Sequence, residues 1–210
     1  MDRAMTNLDY ENQHRAAGLQ LIVGVDEAGR GPLAGPVVAG AALLPVDFTH
    51  PKLTDSKKLT AAQREKIYQE LKADDRLKLA TAIATTEEID RLNILRATHL
   101  AMERAVRALG LVPEMVLIDG LPVKGFPFPQ QALVGGDGLS LSIAAASILA
   151  KVERDHLMEA YDVEFPGYGF AQHKGYGTKA HLAALQKLGP CPIHRNSFAP
   201  VAQMTLNFGE

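Results

Sequence analysis

Two short apolar runs, LIVGVDE at 21–27 and PVVAGAALL at 36–44, lie on either side of a glycine-rich turn. Both are rich in β-branched or small residues and bounded by turn signals, so they read as neighbouring strands. LKLATAIAT at 77–85 reads as a third strand and MVLID at 115–119 as a short buried one. Between them, TAAQREKIYQELK (60–72) opens with a Thr60/Gln63 capping box and spaces Ile67 and Leu71 four apart, the pattern of an amphipathic helix. In TTEEIDRLNILRATHLAMERAVRALG (85–110), Leu95, Met102, Val106 and Leu109 fall on one face of a longer helix that Gly110 stops. LSLSIAAASILAKVERDHLMEAY (139–161) mixes small residues with Ile and Leu and has no Gly or Pro, which suits a helix lying close against a sheet. After a glycine- and aromatic-rich loop, PGYGFAQHKGYGT, a last helix is expected over TKAHLAALQKL (178–188). Strands first, then alternating helix and strand, predict an α/β domain with a mixed sheet flanked by helices.

With 210 residues the chain is expected to form one domain over 20–210, preceded by a polar, unpatterned and flexible extension over 1–19. Hydrophobic residues at 47% and charged residues at 22% exclude disordered and collagen-like classes. The single Cys191 and an amino terminus without an apolar stretch lead us to expect a cytoplasmic protein. No membrane segment is expected, because the longest apolar run is about half of the roughly 20 residues that span a bilayer. A net charge of −2 speaks against a dedicated nucleic-acid binder, but the charge is unevenly distributed. From Phe165 to Gly209 there is no acid, while Lys174, Lys179, Lys187 and Arg195, with His173, His181 and His194, read as a basic surface. Pro51 to Lys72 adds six bases against three acids.

Carboxylates stand where the pattern predicts buried positions. Asp26 and Glu27 follow LIVGV directly, Asp119 closes MVLI, and Asp137 precedes the small-residue helix. Burying such groups unpaired is expensive, and four converging carboxylates would raise one another's pKa unless a cation held them together. Asp119-Gly120 and Asp137-Gly138 are also ordinary turn dipeptides, and Asp137 could cap the following helix. Asp26-Glu27 has no comparably simple structural use. With no cysteine cluster and no HExxH, an all-carboxylate set suits Mg²⁺ or Mn²⁺, and a two-metal phosphodiesterase is the natural hypothesis. GRGPLAG fits neither the dinucleotide fingerprint nor the P-loop, leaving a tight backbone able to approach a ligand closely.

VGVDEAGRGPLAGPVVAGA, DSKKLT, VLIDG, SIAAASILAKVERD, PGYGF…HKGYGT and PIHRNSF together closely resemble ribonuclease HII, the bacterial type 2 ribonuclease H, in the family's order from about Leu21 to Val201. The resemblance implies a ribonuclease H-like mixed sheet with a small helical carboxyl-terminal part, about 165–210. It also implies a metal-dependent endonuclease that cleaves RNA in RNA-DNA hybrids and incises 5′ of single ribonucleotides in duplex DNA. The implied chemistry is two-metal-ion hydrolysis leaving 3′-hydroxyl and 5′-phosphate ends, with Asp26, Glu27, Asp119 and Asp137 as metal ligands and Asp26 bridging. Gly29, Arg30 and Gly31 match the element whose backbone reads the ribose 2′-hydroxyl, and Tyr176 the tyrosine that senses the following deoxyribose. Ser56, Lys57 and Lys58 look like a phosphate-contacting element, with a merely solvated lysine pair as the alternative. The family's usual Lys-Gly-Asp is Gly135-Gly136-Asp137 here, which removes a positive charge and loosens the backbone beside Asp137.

The carboxyl-terminal run from Gln203 to Phe208 fits a loose Q-x-x-L-x-F pattern of peptides that dock on the bacterial sliding clamp. A helix end with incidental Leu206 and Phe208 is the plainer reading. The protein is expected to be a monomer. Two readings from other classes stand beside the nuclease: a hybrid-binding module without catalysis, and a related metal nuclease acting on DNA junctions. The four carboxylates argue against the first, and the 2′-hydroxyl element with Tyr176 against the second.

Overall fold

Strict alternation along β1 (Ile22–Ala28) sends Val23 and Val25 to one face of a sheet and Ile22, Gly24 and Asp26 to the other. In the computed structural model, which describes residues 6–205, this strand is the centre of a five-stranded sheet. Its partners are β2 (Val37–Leu43), β3 (Lys78–Ala84), β4 (Met115–Asp119) and β5 (Gln130–Leu133), in the order β3-β2-β1-β4-β5. The β1/β2 and β2/β3 pairs are antiparallel and the β1/β4 and β4/β5 pairs parallel, so the sheet is mixed as the pattern predicts.

Helices cover both faces. On one, Val23, Val25, Val37, Ala39 and Ala41 pack against Ala97, Ala101, Met102 and Val106 of α4 (Ile94–Ala108). On the other lies α5 (Leu141–Glu164), with α2 (Ala61–Ala73) outside it contributing Ile67 and Leu71. The small residues of α5 have a geometric reason. A Cβ on Gly24 would collide with the Ser142 and Ile143 backbone, and one on Gly40 with Ala146, so helix and sheet touch through main chain. Ile143 and Ile148 are fully buried there, each worth about 1.5–3 kcal/mol of transfer free energy.

Four sequence expectations are corrected. The 85–110 segment is two helices, α3 (Thr86–Leu92) and α4, because Asn93 adopts φ 71° and caps the second by accepting from Arg96 N at 3.1 Å. The turn leaves Leu95 50% exposed rather than on the buried face. The 1–19 segment, expected as a flexible extension, contains α1 (Asp9–Ala16) with Glu11 fully buried. Strand β5 was not anticipated, since its QQAL sequence is short and half polar. Finally, the acid-free tail is a basic surface only in part: Lys179 and Lys187 are exposed, but Arg195, His173, His181 and His194 are buried, and Lys174 pairs with Glu159 at 2.6 Å. That region forms α6 (Phe170–His173), α7 (Lys179–Leu188) and α8 (Ala199–Thr205), the first two around a core of Met158, Tyr168, Phe170 and Ile193. Leu206, Asn207 and Phe208 of the clamp-like run lie outside the described residues, while Met204 packs near Leu33, Leu185 and Val201. Among the described residues no helix is long and apolar enough to cross a membrane.

Candidate active site

Parallel register brings the first two carboxylates together. Val25 of β1 pairs with Ile118 of β4, so the next residue on each strand is Asp26 and Asp119, on chains that run about 4.8 Å apart. Asp119 in turn pairs with Leu133 of β5, and the chain leaving that strand makes the 3-10 turn Gly136–Gly138 around Asp137. The carboxyl ends of three adjacent strands thus deliver three acids to one sheet edge, the position where open α/β sheets bind ligands. Hydrogen bonds fix them there. Glu27 N donates to Asp26 Oδ1 at 2.7 Å, and Gly136 N donates to Asp119 Oδ1 at 2.7 Å, which links Asp119 to the Asp137 turn.

A cleft of about 250 Å³ opens at this edge, lined by Asp26, Glu27, Asp119, Ser56 and Lys57 together with Gly29, Arg30, Gly31 and Tyr176. Asp137 stands just outside this lining, reached by Lys57 Nζ at 3.8 Å from its Oδ2. Lys58 is not in the cleft. It pairs with Asp55 at 3.2 Å and borders a separate, larger groove of about 1240 Å³ that contains none of the four acids. Ser56 is buried, and its hydroxyl lies 2.9 Å from that of Ser147 on α5.

The electrostatics are those of acids held in deficit of counter-charge. Burial, then Glu27 and Asp119, push Asp26 well above the usual carboxylate range, with a Ser147 hydrogen bond offsetting part of this. Burial also raises Glu27, against the pull of Arg30, whose Nη1 lies 3.3 Å from Glu27 Oε1. Asp137 is raised by burial and by Asp55 and Asp119, with Lys57 opposing. Its Oδ2 is buried without a hydrogen-bond partner among the described residues. Lys57 responds in kind: burial pulls its ammonium down, but Asp137, Asp26, Asp55 and Asp119 raise it overall. Such a set of hard oxygen donors, with a buried Asp137 oxygen that has only the distant Lys57 ammonium opposite it and no hydrogen bond among the described residues, fits a divalent cation. Among the described residues no three acid, His or Cys side chains already stand close enough to hold an ion by themselves.

Sequence reasoning missed what lies beneath the glycine loop. Arg154 of α5 and Arg195 are fully buried, and their donors go to main-chain carbonyls, with Asp155 and Asp90 acting on them only at longer range. Arg195 donates to Gly29 O (2.5 Å), Arg30 O (2.9 Å) and Gly35 O (2.8 Å). Arg154 donates to Ala34 O (3.1 Å), Pro36 O (3.0 Å) and Lys174 O (2.9 Å), the last tying in the loop that carries Tyr176. Burial lowers both, Arg154 to about 10 and Arg195 to about 9, so both stay cationic at neutral pH. Gly29, at φ 97°, has no room for a Cβ because the Arg154 side chain runs directly under it. Gly31 and Tyr176 face each other, a Cβ on Gly31 lying 3.6 Å from the tyrosine ring. One helix-spacing signal was available: Ser147, Lys151 and Arg154, at i, i+4 and i+7, all line the cleft.

The family model described as Ribonuclease HII matches residues 23–201. Curated relatives named Ribonuclease HII include one from Desulfitobacterium hafniense, 54% identical over 202 residues, covering 96% of this chain and 77% of the relative. Another, from Syntrophotalea carbinolica, is 50% identical over 196 residues, covering 93% of each chain. Among solved structures, ribonuclease H2 from Pyrococcus horikoshii superposes with a TM-score of 0.74 at 26% identity, covering 90% of this chain and 99% of that one.

Proposed function

The chain belongs to the ribonuclease HII family, a family of metal-dependent endonucleases, and on that premise we propose that it hydrolyses the RNA strand of RNA-DNA hybrids and incises 5′ of single ribonucleotides embedded in duplex DNA. The observation that carries this reading is that one cleft joins the carboxylate edge to the Gly29-Arg30-Gly31 loop and Tyr176. A phosphodiester placed over the acids brings its neighbouring ribose to the loop. A 2′-hydroxyl is the group that separates RNA from DNA, and reading it requires close main-chain approach.

Asp26, Glu27, Asp119 and Asp137 are the residues that would hold two divalent ions. Such ions, when bound, lower the pKa of water and neutralise charge developing on the phosphate. The rest is done by the chain. Lys57 places positive charge beside the acids, Lys151 lines the same cleft while paired with Asp155 at 2.6 Å, and Arg154 and Arg195 hold the reading loop in one shape. Tyr176, 47% exposed beside Gly31, is free to stack on a sugar. The retained acids leave the binding-module reading without support, and the ribose-reading loop does the same for the DNA-junction reading. A sliding-clamp partner through Gln203 to Phe208 is a separate proposal, lost if Leu206→Ala with Phe208→Ala leaves clamp binding unchanged.

The test is a DNA duplex carrying one ribonucleotide, incubated with Mg²⁺, Mn²⁺ or EDTA. Metal-dependent incision leaving a 5′-phosphate on the ribonucleotide fragment, and its loss in Asp26→Asn, is expected. Incision by Asp26→Asn at the wild-type rate would overturn the assignment.

A further inference from the structure

Asp137 sits in a turn that its own sequence leaves loose. It is preceded by two glycines and followed by a third, and Gly135, at φ 69°, has nothing within 4 Å of where a Cβ would stand. On the upstream side the turn is held by Asp119, through Gly136 N. On the downstream side it is held by the amino-terminal segment.

Thr6 Oγ1 donates to Gly138 O at 3.2 Å, and Asn7 bridges Ser140, with Asn7 N on Leu139 O at 3.3 Å and Leu141 N on Asn7 O at 2.9 Å. One helical turn on, the fully buried Glu11 collects three donors on Oε1: Ser140 Oγ at 2.6 Å, Ser142 Oγ at 2.5 Å and Ser142 N at 3.0 Å. Its Oε2 has no partner among the described residues. Leaving a carboxylate oxygen unpaired in the interior is costly, and an apolar residue could have anchored α1 more cheaply. The charge does lie where it is useful, at the amino end of the 24-residue α5, whose dipole favours an anion.

We propose that the segment 6–16, through Glu11, is a positioning element that fixes the Asp137 turn for metal binding. This rests on the reading of Asp137 as a metal ligand. Groups bonded directly to metal ligands are typically worth about 10–100-fold in affinity, and Glu11, acting through Ser140 and the turn rather than on Asp137 itself, is expected at the low end of that range.

Mn²⁺ binding is measured on the full chain by titration calorimetry and by Mn²⁺ electron spin resonance, together with melting temperature and amide exchange across 136–141. Glu11→Ala is expected to weaken Mn²⁺ binding roughly tenfold and to speed exchange in that turn, with Glu11→Gln, which retains an acceptor oxygen, recovering most of both. Met102→Ala, on the opposite face of the sheet, serves as a destabilised control and should leave affinity unchanged. Unaltered Mn²⁺ affinity in Glu11→Ala, or an equal loss in Met102→Ala, overturns the proposal. Asp137→Asn separates the two levels: if it too binds Mn²⁺ normally, the ligand assignment of Asp137 has failed as well.

Discussion

Replacing Arg195 by methionine keeps an unbranched apolar stem, shorter than the arginine, and removes the fork that serves the glycine loop. The buried carbonyls of Gly29 and Gly35 and the partly buried one of Arg30 lose their donor. Net, each such loss is worth about 1 kcal/mol, rising toward 3 where water cannot enter. Removing the charge returns part of the burial penalty that holds the guanidinium at about 9, and Phe198, whose ring lies 5.0 Å from the guanidinium carbon, loses its cation. We expect a net loss of about 3 kcal/mol, or roughly 6–12 °C in Tm for a chain of this size. Urea unfolding with matched m-values gives the free energy, and amide exchange at Arg30 and Gly31 gives the loop. Arg195→Lys should be nearly as damaging, because an ammonium cannot reproduce the planar spacing of the donors. A loss under about 1 kcal/mol, or unchanged exchange at the loop, refutes the idea that the arginine holds it.

Three further outcomes are expected. Gly24→Ala should cost about 1–3 kcal/mol, as overpacking does, since its methyl group meets the main chain of α5; a stability equal to wild type would mean that the helix moves freely. Without metal, Asp26→Asn should melt higher than wild type, because it removes a carboxyl whose ionised form is disfavoured by burial and by Glu27 and Asp119, and it should gain less from added Mn²⁺; a lower metal-free Tm contradicts this. His194 is pushed down to about 4 by burial and by His181, below its unfolded value of about 6.5. Its native pKa being depressed, the folded state binds fewer protons, so this contribution is present above about 6.5 and is lost as pH falls toward 4. Urea midpoints at stepped pH should fall more steeply for wild type than for His194→Asn, and parallel slopes would remove His194 as the cause.

What was legible in the sequence had side-chain pattern behind it. The strands β1, β2, β3 and β4 showed as apolar runs, and Asp26, Glu27 and Asp119 stood out because charges closing such runs lack an ordinary use. Arg154 and Arg195 did not stand out, because their partners are main-chain carbonyls, which leave no trace in residue identity. Charge in an acid-free tail suggested solvent, whereas the folded chain turns Arg195 and three histidines inward. Helix α1 was invisible for a related reason: its buried residue is Glu11, and a polar helix with one buried acid carries no apolar period. Asn93 broke a helix without the Gly or Pro that usually announces it.

The central claim is that one cleft couples the carboxylate edge to a reader of the 2′-hydroxyl. The most direct measurement is wild-type cleavage, with Mn²⁺, of three duplexes that differ at a single sugar, carrying ribose, deoxyribose or 2′-O-methylribose at that position. Incision 5′ of the ribose alone is the expected result, because a deoxyribose has no 2′-hydroxyl for the loop to bond and a 2′-O-methyl group has lost the hydroxyl proton and adds bulk where close main-chain approach is needed. Comparable incision of the all-deoxyribose duplex would contradict it, since the acids would then be working without the loop.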